Sequence, residues 1–117
     1  MYYHSSSHRF RRGEIVLPLL SLERTRNFPY GNQGGNNVVY LSEIPIHPTI
    51  IERAWEENWF CYEVKPCPPV KESDAYKMEV TCPKARVVRC LGKTRFLFPR
   101  EEDHIREYGS FLSSLVH

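Results

Sequence analysis

The sequence predicts an α+β domain, and three observations carry that expectation. Short runs rich in β-branched and aromatic residues, VVYLS at 38–42, FCYEVK at 60–65 and ARVVRCL at 85–91, are each bounded by glycine, proline or polar turns and read as strands. Two longer segments, 48–59 and 100–116, set their apolar residues at helical spacing. The elements do not alternate as parallel βαβ units do, so a compact, strand-rich sheet with one central helix and one C-terminal helix is expected.

The chain has 117 residues, which suits one domain over 1–117. Its 41% hydrophobic and 26% charged content is that of a globular protein with a core of its own. The net charge of +2 is too mild to call for nucleic acid by itself. The local cluster of Arg9, Arg11 and Arg12 suits either a solvated face or a pyrophosphate or nucleic-acid contact, because guanidinium groups grip phosphate oxygens in pairs. No run approaches the roughly 18 apolar residues of a membrane span, and the polar N-terminus lacks the apolar stretch of a signal peptide. A cytoplasmic location is therefore expected, with no membrane partner. Cys61, Cys67, Cys82 and Cys90 include no Cys-x-x-Cys pair, so neither disulfides nor a metal is expected, and Cys61 and Cys90, which fall within apolar runs, are expected in the core.

Taken in order, MYYH at 1–4 reads as an opening strand, ended by the polar turn Ser5-Ser6-Ser7. Glu14 to Leu17 is a brief apolar stretch stopped by Pro18, and 19–30 read as irregular. The loop GNQGGNN at 31–37 lacks the Gly-Lys-Ser/Thr of a phosphate cradle and reads as a mobile connection or lid. In 48–59, Pro48 suits a first turn and Thr49 or His47 a cap; Ile50, Ile51, Ala54, Trp55 and Trp59 form the face expected to pack on the sheet. Residues 70–79 read as a polar loop and 80–82 as the start of a short strand. Gly92 is expected to break the strand before TRFLF at 94–98 continues as a hairpin strand. The terminal helix is expected to carry Ile105, Tyr108, Phe111, Leu112, Leu115 and Val116 on one side.

Read residue by residue, Tyr40 is an ordinary strand aromatic and His4 an ordinary terminal histidine. Their order is less ordinary. YYHSS, then VVYLSE, a helix, CYEVKP, an acidic loop and ARVVRCLG are similar to the rifamycin ADP-ribosyltransferase family over residues 2–92. That family belongs to the histidine–tyrosine–acid branch of the ADP-ribosyltransferases. The resemblance implies a compact split β-sheet core and NAD as co-substrate. It implies that His4 bonds a ribose hydroxyl, that Ser5 and Ser6 line the nicotinamide, with Ser5 standing where the family has glycine, and that Tyr40 stacks on the nicotinamide ring. The acid of the family falls at Asp74 or, second, Glu72. Arg12 joins the NAD contacts through its cluster. Such residues suit the chemistry, since a carboxylate stabilises positive charge on a ribose and can deprotonate an incoming nucleophile.

Residues 93–117 extend beyond the resemblance and suit a macromolecular acceptor as well as a small molecule. The expected activity is therefore transfer of ADP-ribose from NAD to a protein, nucleic-acid or small-molecule acceptor. Two alternatives stand beside it: an RNA 2′-phosphotransferase, and a non-catalytic nucleotide- or protein-binding module of the same fold.

Overall fold

The computed structural model describes residues 1–18 and 38–108. The chain starts with β1 (Tyr2–Ser6) and β2 (Ile15–Val16), then β3 (Val39–Ser42) and helix α1 (Ile51–Glu57). It continues through β4 (Phe60–Pro66), β5 (Lys71–Glu72), β6 (Glu79–Cys82) and the long β7 (Ala85–Lys93). Helices α2 (Thr94–Leu97) and α3 (Glu101–Tyr108) follow. The expected contents of 19–37, including the glycine-rich loop, and of 109–116 lie outside the described residues. Among the described residues no helix is long and apolar enough to cross a membrane.

The strands form one seven-stranded sheet in the order β2-β7-β4-β1-β3-β6-β5, with antiparallel neighbours. Successive side chains of a strand face opposite sides, and β4 uses both. Tyr62 and Val64 join Val39, Leu41, Val80, Cys82 and Val87 in one apolar layer. Cys61 points the other way, into a layer of Ile46, Ile51, Ala54, Trp59 and Phe98 under the helices. The sheet is nearly parted in its middle. β1 and β4 pair continuously from Tyr2↔Val64 to Ser6↔Phe60. β1 and β3 meet at one register pair, Tyr3↔Ser42.

The α+β expectation holds, with local corrections. Helix 48–59 is shorter, since Asn58 takes a left-handed C-cap and returns its amide to Ala54 and Trp55. His47 and Thr49 bond each other and not the helix end. The polar loop 70–79 contains β5 and the first residue of β6. Gly92 does not break β7, which runs on to Lys93. Its φ of 124° and the Phe96 ring over its Cα explain the glycine, for an added Cβ would lie 2.8 Å from that ring. TRFLF is not a strand: Thr94–Leu97 form α2. The chain turns instead: the Thr94 amide and hydroxyl both donate to the Trp59 carbonyl, and the Phe98 amide returns to Thr94.

The connection from β1 to β2 is held by one phenol. Tyr62 is fully buried; its hydroxyl accepts from the Phe10 amide at 2.8 Å and donates to the His8 carbonyl at 3.0 Å. Tyr62→Phe leaves both backbone groups short of a partner and should cost about 1–3 kcal/mol. Urea denaturation of the variant checks this, with an unchanged m-value if the fold is kept.

Candidate functional site

Where the sheet parts between β1 and β3, a cavity of about 560 Å³ opens on the helical side. β1 contributes Tyr3, His4 and Ser5, and β3 contributes Tyr40, Leu41 and Ser42. The turn before α1 supplies His47, Thr49 and Ile50, and the helix supplies Arg53. Ala75, Tyr76 and Glu79 close the opposite wall. This volume is within the usual range for small-molecule sites. Alternation explains the lining, since Val39 and Leu41 pack in the far apolar layer and so turn Tyr40 and Ser42 to the cavity.

His4 stands at the parting. Its register partner is Tyr62, and its ring meets Phe10 edge-on at 6.0 Å. It hydrogen-bonds the backbone of Tyr40, across the gap that the strand ladder leaves open. Burial lowers its pKa to about 4, outweighing the hydrogen bond, which acts in the other direction. The ring is thus a neutral tie between β1 and β3 at ordinary pH. Ser5 is buried beside it and bonds the Cys61 thiol, whose pKa burial raises to about 12. That thiol is an inert core group.

The opposite wall is tied down as firmly. The His47 Nε2 donates to the Lys77 carbonyl at 2.8 Å, while its Nδ1 accepts from the Thr49 hydroxyl at 2.7 Å. Ser73 donates its amide to the Glu79 carbonyl at 2.9 Å, and its Oγ accepts from the Ala75 amide at 3.1 Å. Before His47, Ile46 holds φ 63°, a left-handed conformation that a β-branched residue rarely takes. The buried His104 of α3 donates to the Ile46 carbonyl at 2.7 Å and fixes that turn.

His4, Ser5 and Tyr40 line one cavity. The other expected residues do not line it. Ser6 is buried, and its Oγ accepts from the His8 amide at 3.0 Å. Arg12 is exposed before β2 and is not among the lining residues. Asp74 is exposed in the turn after β5 and does not line the cavity. Glu72 is exposed on β5 and lies on a smaller recess of about 300 Å³ with Glu43 and Lys77. The carboxylate in the main cavity belongs to Glu79, register partner of Ser42. Sequence reading missed it by starting the strand at 80. Alternation in EVTC, with Val80 and Cys82 buried, places Glu79 and Thr81 on the cavity face.

Among the described residues, no group of three or more histidine, cysteine or acidic side chains is placed to hold a metal ion. Comparison with known protein families, curated proteins and solved structures returned no match.

Burial of neutral His4 gives a pH dependence. The unfolded chain takes up the proton below pH 6.5, the folded chain only near 4. The stability is therefore complete above 6.5 and falls as pH drops from 6.5 toward 4, by about 3 kcal/mol over the window. His104, also lowered by burial, adds to the loss in the same sense. His4→Gln should flatten the profile in this window, read from urea midpoints at a series of pH values. An unchanged slope would rule out the neutral buried ring.

Proposed function

We propose that the chain is an NAD-dependent mono-ADP-ribosyltransferase, a glycosyltransferase that uses the cavity between β1 and β3. The observation that carries this reading is the convergence of His4, Tyr40 and a carboxylate on one cavity from three separate strands. The order of histidine and tyrosine follows the resemblance; Glu79 takes the acid's part in preference to Glu72 and Asp74, which line no wall of it. NAD supplies the activated bond, between nicotinamide and ribose.

The residues fit such a co-substrate. Tyr40 and Tyr3 offer ring faces for a planar heterocycle, and Ser42 and Ser5 are polar neighbours on the same walls. Neutral His4 holds the Tyr40 backbone in place at the edge of the cavity. Glu79, which borders both this cavity and the smaller recess, carries a carboxylate of the kind that stabilises positive charge on a ribose and takes an acceptor's proton. Acceptor attack forms a new bond to the ribose carbon as the nicotinamide leaves with the bonding pair.

The outward positions of Glu72 and Asp74 favour a second reading, a nucleotide-binding module without turnover. Mixing with NAD and following nicotinamide release separates the two. Under the first reading, Glu79→Gln lowers kcat by about 100-fold or more, while Asp74→Ala and Glu72→Ala stay near the parent rate. Tyr40→Ala chiefly raises KM for NAD. Full turnover in Glu79→Gln would sink the assignment of the acid, and no release from the folded parent would leave only the binding module.

A further inference from the structure

The cavity shares its face of the sheet with a strip of cations. Tyr62 and Val64 point into the far apolar layer, so Glu63 and Lys65 of β4 project to the cavity side. Their register partners on β7 are Arg89 and Arg86. Lys65, Arg86 and Arg89 are exposed. Arg86 donates to the Gly13 carbonyl at 3.3 Å, which brings the exposed Arg11–Arg12 turn alongside. Against these cations stand Glu63, which holds Arg89 at 2.9 Å, and Glu14, which accepts from the Arg11 amide. Lys65, Arg86, Arg11 and Arg12 are in no ion pair recorded among the described residues.

The strip abuts the cavity. Tyr3, a lining residue, is the register partner of Glu63, so β7 and its arginines lie two strand spacings away, about 10 Å. Tyr76 lines the cavity and is exposed, while Tyr3 and Tyr40, also lining it, are half-buried. Cations beside aromatic rings are the arrangement that single-stranded nucleic acids use, backbone on the cations and bases on the rings.

We propose that this strip binds a single-stranded nucleic acid and delivers one of its nucleotides to the cavity as acceptor. The binding stands on the strip alone; the acceptor role rests on the transferase reading above. Guanidinium pairs favour phosphodiesters over isolated carboxylates, because each fork matches two phosphate oxygens. In the transfer, the ribose–nicotinamide bond breaks with its electron pair going to nicotinamide. An oxygen or nitrogen of the nucleotide bonds the ribose carbon, and its proton passes to Glu79.

The test is fluorescence anisotropy of a labelled single-stranded oligoribonucleotide of mixed sequence, titrated without NAD. Binding should weaken with salt at a log–log slope of about −2 to −3, the value for three to four phosphate contacts. Lys65→Glu with Arg86→Glu should weaken it at least tenfold, and Lys65→Gln with Arg86→Gln should weaken it less and lower the magnitude of the salt slope by about 1.4, the share of two phosphate contacts. Arg106→Glu on α3 should leave it unchanged. Both altered side chains are exposed, and circular dichroism checks that the fold is kept. No binding at low salt, binding unmoved by the charge reversal, or equal competition by polyglutamate would overturn the surface. With labelled NAD added, nicotinamide release without oligonucleotide binding removes the strip and leaves the transferase. Oligonucleotide binding without release keeps the strip and removes the acceptor role with the transferase reading.

Discussion

The parting of the sheet between β1 and β3 is the constraint on which the site depends. Two strands that diverge after a single register pair leave backbone groups that the ladder no longer satisfies, and buried backbone groups need partners. His4 supplies one, by bonding the Tyr40 backbone. The ring can do this in a buried place only while neutral, since an imidazolium there would be desolvated without a counter-ion. The gap thus becomes a defined cavity with Tyr40 held at its edge, and the two apolar layers on either side of the sheet keep it from closing.

The opposite wall needs its own support because it is made of turns. Ile46 in a left-handed conformation costs about 1–3 kcal/mol and persists only where the surroundings over-determine it. Two histidines provide this: His104 binds the Ile46 carbonyl, and His47 joins the next turn to the Lys77 carbonyl. Both are buried, and both act through hydrogen bonds to backbone oxygens. α3 therefore reaches the cavity indirectly. It fixes the turn that fixes the loop carrying Tyr76 and Glu79.

Most of the strands were legible, because their β-branched and aromatic residues are bounded by proline, glycine or polar turns. FCYEVKP became β4 and ARVVRCL the body of β7 with little change. The errors fall where a pattern has no single period. In TRFLF three adjacent apolar residues fit helix and strand alike, and the hydrogen bonds of Thr94 to the Trp59 carbonyl turn the chain into a helix. The site was legible in part. His4, Ser5 and Tyr40 meet on one cavity, and the cavity's carboxylate was missed because Glu79 begins a strand inside what reads as a polar loop. Which acid faces inward is set by the register with Ser42, a pairing between segments far apart in sequence, and local composition does not carry it.

Charge is distributed unevenly across the parting. β4 and β7 expose Lys65, Arg86 and Arg89 on one side, while Glu43, Glu72, Asp74 and Glu79 belong to the β3, β5 and β6 side. Lys71 and Lys77 soften the second group without reversing it. A ligand spanning the gap meets cations at one end and a carboxylate at the other. Anionic groups are then favoured toward β4, and positive charge that develops during a reaction is favoured toward Glu79. Arg53, the cation that lines the cavity itself, is offset by its ion pair with Glu57.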